Sequence, residues 1–367
     1  MIATRLRLRD FRSYAGAEVA LGPGITVVHG RNGAGKTNLL EALYFGCTGR
    51  SCRTSNEREI VRFDTKVVRV EVDLRDDEGR EHTLTVGFSP GEAKRLQADG
   101  VNVERIDVRS RPLICVFLPD RLELVKGPPA LRRSHVDQVV AATWPGRSST
   151  RRAYGQALAQ RNALLARVRS GRASASSLPA WDAELARHGI ALRDDRAAAI
   201  ELLSGRFTAI AAALGLGGDA ELRYRPRSRA AGAAELAAEL AAHTASDLER
   251  GFTGHGPHRD DLALLRDGRE LRAYGSQGEQ RLALLALLLA EREALAATRN
   301  AVPLMLLDDV MSELDPDRRG MLAQMLGGEG QSIITTTDLA HVPGADGAAI
   351  VRLEVAGGAV AQDVVAA

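Results

Sequence analysis

The sequence predicts an α/β fold: a mixed-sheet core of the phosphate-loop type, interrupted by an inserted α-helical lobe. Three observations predict it. Residues 30–37 read Gly-Arg-Asn-Gly-Ala-Gly-Lys-Thr, a complete G-x-x-x-x-G-K-[ST] loop between an apolar run and a helix-like stretch. A second apolar run, 302–307, ends in the pair Asp308-Asp309. Between the two, strand-like patterning to residue 118 gives way to Ala, Leu and Arg at helical spacing, and returns after Gly254.

In chain order, Leu6, Leu8 and Phe11, then Val19 and Leu21, predict an opening hairpin. The run 25–28 is the strand that feeds the loop, and 38–44 the helix that leaves it. Residues 68–74 alternate strictly, turn through 76–79 and return as 83–88. Another hairpin turns at Asp99-Gly100, and 113–118 reads as a buried strand. Helices are predicted over about 148–169 and 179–213, with the Ser- and Gly-rich stretch 170–177 as the tip of a helical hairpin. Arms of that length reach about 30–50 Å. Residues 262–265 then turn at Asp267-Gly268, a helix follows to 298, and 332–338 is a last core strand. The expected division is 1–118 plus 254–367 as the core, with a helix at about 276–298 facing the lobe, and 119–253 as the helical lobe.

The chemistry follows from the loop. Glycines at 30, 33 and 35 let successive N–H groups turn inward onto phosphate oxygens, at a helix N-terminus that adds partial positive charge. The whole run Gly30, Arg31, Asn32, Gly33, Ala34, Gly35, Lys36, Thr37 and Asn38 is therefore expected at the nucleotide. Lys36 reaches the β- and γ-phosphates, and the Thr37 hydroxyl binds Mg²⁺. Asp308 is expected to hold the same Mg²⁺ from the strand end opposite, and Asp309 to polarise the attacking water. ATP and Mg²⁺ are the expected cofactors, and hydrolysis the expected reaction. Ser276-Gln277-Gly278-Glu279-Gln280 resembles an ABC-type signature turn, in which Ser276, Gly278 and Gln280 complete the site of a second copy in trans. Asp315, in Ser312-Glu313-Leu314-Asp315, matches the dimer-contacting loop, and Thr337 occupies the position of a γ-phosphate sensor.

Composition narrows the class. The formal net charge is +2, so nucleic-acid binding has to come from local patches, although Arg outnumbers Lys 45 to 4. Three cysteines without metal-ligand spacing read as reduced cytosolic thiols. The most apolar stretch, 282–290, is far short of a membrane span. Charges at Arg5, Arg7, Arg9, Asp10 and Arg12 break any signal-peptide core. These features predict a soluble, intracellular protein. His255 and His258 flank Gly256-Pro257, which argues for a tight turn rather than a metal site.

The runs 8–14, 30–44, 49–54, 124–129, 256–261 (Gly-Pro-His-Arg-Asp-Asp) and 307–315 resemble the RecF family of bacterial recombination mediators, in order and over nearly the whole chain. Cys52 departs from the His expected there. The resemblance implies an SMC-like, ABC-type ATPase head that dimerises on ATP, hydrolyses it slowly under DNA stimulation, and uses Arg12 at the nucleotide. It also implies binding to double-stranded and single-stranded DNA at gaps and junctions, loading of RecA with RecR and RecO, a part in the SOS response, no membrane, and a cytoplasmic, nucleoid-associated location. Expected phosphate contacts are Arg50 and Arg53; Lys126, Arg132 and Arg133; Arg147, Arg151 and Arg152; and the alternating Arg225, Arg227 and Arg229. Few aromatic residues interleave with them, which favours duplex backbone over stacked bases. An SMC-like chromosome-organising ATPase and a transporter ATPase subunit are the alternatives. The 270-odd residues between the two nucleotide motifs exceed a transporter subunit yet leave no room for long SMC arms.

Overall fold

The computed structural model describes residues 1–362. It divides into two compact units: residues 1–121 together with the chain from Leu295 on, and Leu122–Ala294. The first division falls at Arg121/Leu122, against the expected 118/119. The second lies about forty residues later than the expected 253/254, and the expected span 254–367 ends in five residues outside those described.

In chain order the strands are β1 (Ile2–Phe11), β2 (Tyr14–Ala20), β3 (Ile25–His29), β4 (Val68–Arg75), β5 (Glu81–Phe88), β6 (Arg95–Ala98), β7 (Val101–Val103) and β8 (Ile114–Phe117). They continue as β9 (Ala220–Arg225), β10 (Asp261–Arg266), β11 (Arg269–Glu270), β12 (Leu304–Asp308), β13 (Ser332–Thr336), β14 (Val351–Ala356) and β15 (Ala359–Gln362). The first unit holds two six-stranded sheets. One is antiparallel, in the order β2-β1-β4-β5-β6-β7; the other is β15-β14-β3-β13-β12-β8, parallel except for β15.

Alternation explains the antiparallel sheet: Val68, Val70, Val72 and Leu74 all face inward and are fully buried. The central parallel strands are buried end to end, as residues covered on both faces require. The helix Lys36–Thr48 fills the space against these strands with Leu39, Leu40, Leu43 and Phe45. It lies so close that a Cβ on Gly46 would come within 2.5 Å of Val72 Cγ2. Burial of these apolar side chains at about 25 cal/mol per Å² is the main term holding the unit together.

The second unit is built on the helices Pro129–Thr143, Ser148–Arg169 and Leu178–Ala213, the last two joined through a short turn where the hairpin tip is expected. Its core includes Tyr154, Leu185, Leu192, Leu236 and Leu240. Besides helices it contains a sheet, β11-β10-β9. This sheet is why the division differs from the sequence expectation. β9 lies in the stretch expected to be helical and pairs over six residues with β10, which was assigned to the core. That ladder carries the chain after Gly254 into the second unit, and the boundary passes through the last turns of the helix Gln277–Arg299. Among the described residues no helix is long and apolar enough to cross a membrane.

Candidate nucleotide site

Strand β3 delivers the chain into the phosphate loop, and the helix starts at Lys36. Gly30, Gly33 and Gly35 take φ values of 151°, 78° and 118°. At Gly30 the need is steric as well, because a Cβ would lie 2.2 Å from the Val355 carbonyl oxygen of β14. At Gly35 it would meet Ser13 Oγ and Tyr14 Oη at 3.0 Å, and that same tyrosine hydroxyl donates to Gly35 O at 3.0 Å. The first turn of the helix is thus fixed from the β1–β2 turn. Lys36 Nζ donates to the carbonyls of Gly30 (2.7 Å) and Arg31 (3.0 Å), so the ammonium sits across the mouth of its own loop. Burial lowers its pKa, and the nearby Asp309 and Asp308 carboxylates oppose that shift. Arg31, Asn32 and Gly33 form the exposed tip of the loop.

Asp308 ends β12, and β13 lies between β12 and β3, in the register Asp308 opposite Thr335. Two hydroxyls therefore converge on one carboxylate. Thr37 Oγ1 donates to Asp308, 2.9 Å from each oxygen, and Thr335 Oγ1 donates to Asp308 Oδ1 at 2.7 Å. Burial raises the Asp308 pKa, while these two hydrogen bonds pull it down. The next residue, Asp309, adopts φ 50° and donates its N–H to Thr335 Oγ1 at 3.0 Å. Its Oδ1 is buried and has no hydrogen-bond partner among the described residues. The Thr37 hydroxyl and the Asp308 carboxylate converge beside the unsatisfied Asp309 oxygen, a hard oxygen donor set of the kind Mg²⁺ takes, and the Lys36 ammonium lies near as a separate partner for phosphate. Thr335 is absent from the sequence reading. A threonine on a strand looks like ordinary β-branched core, and only the register gives it this part.

Glu41 was missed too. It is fully buried one turn into the same helix and receives Arg12 Nε and Nη2 (3.0 and 2.9 Å), Arg53 Nη1 (3.2 Å) and Ser51 Oγ (2.6 Å). Arg12, expected at the nucleotide, makes a bidentate pair with Glu41 instead, and Arg53, expected on DNA, is tied to Glu41 and to Asn38 Oδ1 (3.1 Å). Asn38 in turn donates to Ser13 Oγ at 3.0 Å. The cause is the buried charge, which has to be compensated from within the protein.

In the second unit the Ser276 turn is a capping box. Ser276 N donates to Glu279 Oε2 at 2.7 Å, and Glu279 N donates to Ser276 Oγ at 3.3 Å. Ser276 and Gly278 are exposed. Gln280 is a correction: it is buried, and its amide donates to Leu271 O (2.9 Å) and Gly275 O (3.1 Å), so it ties the turn from inside instead of facing a nucleotide. In the first unit, Asp315 caps the helix Pro316–Leu326 through Arg318 N (2.9 Å), and Thr337 is exposed just past the end of β13.

The expected DNA contacts sort by exposure. Arg50, Lys126, Arg151 and Arg152 are exposed. Lys126 has a neighbour in Glu123 at 3.5 Å, and Arg151 one in Asp137 at 3.3 Å. Arg147 lies 4.5 Å over the Trp144 ring. Arg132 is a second correction: it is 2% exposed, forms a bidentate pair with Asp261 (2.8 and 3.0 Å) and donates to Gly127 O at 2.7 Å. Its charge is spent inside the unit. Arg225, Arg227 and Arg229 are all exposed, and Arg225 is paired with Glu270. His258 sits between Tyr154 Oη (2.7 Å to Nδ1) and Thr253 O (2.9 Å from Nε2), while His255 pairs with Glu239. Among the described residues no group of three or more His, Cys, Asp or Glu side chains is placed to hold a metal ion.

Residues 2–357 match the family described as the RecF/RecN/SMC N terminal domain. The DNA replication and repair protein RecF of Myxococcus xanthus is 38% identical over 370 residues, covering 97% of this chain and 96% of that protein. RecF of an Anaeromyxobacter species is 40% identical over 366 residues, with 97% of each covered. Among solved structures, the recombination mediator protein RecF with ATP, of the RecFOR pathway, superposes with a TM-score of 0.87 at 26% identity, over 99% of this chain and 97% of that one. An SMC head bound to the C-winged helix domain of ScpA, 18% identical with a TM-score of 0.61, shares the fold. The chain belongs to the RecF family.

Proposed function

We propose that this chain is an ATP-dependent DNA-binding protein of DNA replication and recombinational repair. It binds ATP at the phosphate loop, closes as a homodimer around two nucleotides, grips gapped or junction DNA, and releases it on slow hydrolysis. With RecR and RecO it helps load RecA and supports the SOS response, in the cytoplasm and on the nucleoid.

The observation that carries the reading is the convergence of Lys36, Thr37, Asp308 and the unpartnered Asp309 Oδ1 at the end of one parallel sheet. Thr37 and Asp308 would hold Mg²⁺, and Lys36 would leave its loop carbonyls for phosphate oxygens. Mg–ATP, when bound, supplies a phosphoanhydride whose developing charge the cation and lysine neutralise. Asp309 orients a water, and the burial of its Oδ1 keeps bulk solvent from competing for that oxygen. Across the dimer, Ser276 presents its hydroxyl and the first N–H groups of the helix Gln277–Arg299 to the partner's nucleotide.

Lys36→Ala abolishes nucleotide binding and, with it, ATP-driven dimerisation in light scattering. Ser276→Ala keeps nucleotide binding and loses hydrolysis. Mixed dimers of the two variants regain one composite site, so two variants that hydrolyse as independent subunits would refute the shared-site reading.

A further inference from the structure

The Gly-Pro-His-Arg-Asp-Asp segment at 256–261 takes no part in the nucleotide chemistry above, yet the second unit spends several partners on it. Asp260 is buried and receives the Tyr224 hydroxyl and the Arg227 N–H (2.6 Å). Asp261 is consumed by the bidentate pair with Arg132. Pro257 O receives Arg196 Nη1 at 2.8 Å. These contacts clamp a short turn, Pro257–Arg259, and leave one side chain facing out. Arg259 is exposed, and among the described residues it has no carboxylate partner. Its guanidinium lies 5.5 Å from the centroid of the Phe252 ring, itself 42% exposed. The cation–π contact holds the guanidinium in place without neutralising it.

Arg133 stands beside it. Its Nη1 donates to the Asp260 carbonyl at 2.8 Å, so its charge is likewise unmatched by an ion pair. Burial, then Arg196, and also Arg259 hold its guanidinium below its usual pKa, against the pull of Asp261 and Asp260. Arg227 adds a third exposed guanidinium, anchored by its own N–H on Asp260. The local carboxylates are therefore turned inward and spent, while Arg259 and Arg227 are exposed and Arg133 is half-buried beside them. Such an arrangement calls for an anion from outside.

We infer that Arg259 and Arg133, steadied by Phe252 and the clamped 256–261 turn, form a phosphate-binding site on the second unit that takes a backbone phosphate of DNA. The site reads no sequence. Planar guanidiniums suit a phosphate, which two of them can grip from two sides. The inference rests on the proposed DNA-binding function and adds the place of one contact.

The test is a salt titration of DNA binding by fluorescence anisotropy, with a gapped duplex, ATP and Mg²⁺. Arg259→Ala lowers affinity about tenfold and reduces the slope of log K against log salt by about one, equally for unrelated sequences. Arg259→Glu lowers it further, and Arg259→Lys restores the slope. Since the side chain is exposed, thermal melting and nucleotide affinity stay at wild-type values. If the wild-type chain binds no DNA, the proposed function fails. If wild type binds and Arg259→Glu matches its affinity and slope, the site fails. Loss of binding to polyglutamate, with DNA binding unchanged, would overturn it in favour of an acidic protein segment.

Discussion

Replacing Thr335 by valine removes one hydroxyl and keeps the shape of the side chain. That hydroxyl donates to Asp308 Oδ1 at 2.7 Å and accepts from Asp309 N at 3.0 Å, so it orients the Asp308 carboxylate and anchors the backbone of Asp309. A hydrogen bond to a charged acceptor contributes about 1.5–3 kcal/mol, and an N–H left without its acceptor costs about 1–3 kcal/mol. Only part of that sum reaches ligand binding, because water can enter the gap. At 1.4 kcal/mol per decade, the Mg–nucleotide affinity of Thr335→Val falls about ten- to a hundredfold, and Thr335→Ser stays within about threefold of wild type. Burial already raises the Asp308 pKa, and the lost hydrogen bond is one of the two that lower it. The valine variant therefore protonates Asp308 more readily, and its deficit widens as the pH falls. Isothermal titration calorimetry with a slowly hydrolysed ATP analogue, at two pH values, measures both effects. Equal affinities for Thr335→Val and wild type at both would refute the claim that β13 orients the Mg²⁺ carboxylate.

Three further outcomes follow from the same geometry. Gly30→Ala drives a Cβ to 2.2 Å from Val355 O at φ 151°, whereas Gly33→Ala meets no atom within 4 Å at φ 78°. The first therefore abolishes nucleotide binding and the second weakens it by about 1 kcal/mol, in the same titration. Asp308→Asn removes a buried charge, so without nucleotide it melts above wild type at pH 7 and loses Mg²⁺-dependent binding. The raised Asp308 pKa means that this advantage shrinks as the pH falls to the ordinary carboxylate range, and differential scanning calorimetry follows both trends. His258 is held neutral: Thr253 O can only accept, so Nε2 carries the proton and Nδ1 accepts from Tyr154. Burial lowers its pKa from 6.5 to about 4, with Arg259 and Arg133 adding to the shift and Asp247 opposing it. The unfolded chain therefore binds the extra proton between those values, and up to about 3 kcal/mol of stability is lost as the pH falls from 6.5 to 4. A denaturant series on His258→Gln shows a flatter profile over that window; an unchanged profile assigns the loss elsewhere.

What could be read from the sequence was whatever is local. The phosphate loop, the Asp308-Asp309 strand end, the Ser276 turn and the hairpins at 76–79 and 99–100 each carry their signal within a dozen residues, through glycine placement, periodicity or capping. What could not be read depends on partners far along the chain. Arg132 looked like one of a basic cluster until Asp261, 129 positions later, took its charge. Arg12 was expected at the nucleotide, Arg53 on DNA, and Glu41 had no assigned part; only burial of the carboxylate joins them. Strand β9 was hidden because its last residue, Arg225, was read together with Arg227 and Arg229 as a basic cluster, inside a stretch otherwise taken as helical. The missing strand shifted the second boundary.

The strand order of the parallel sheet also bears on synthesis. Among the described residues β3, which leads into the phosphate loop, pairs only with β13 and β14, and Thr37 reaches an aspartate 271 residues downstream. A nascent chain leaving the ribosome can form its opening hairpins early, but the strand before the loop stays unpaired until residues 332–356 emerge. No prematurely terminated product that lacks this last stretch can build the sheet that holds nucleotide.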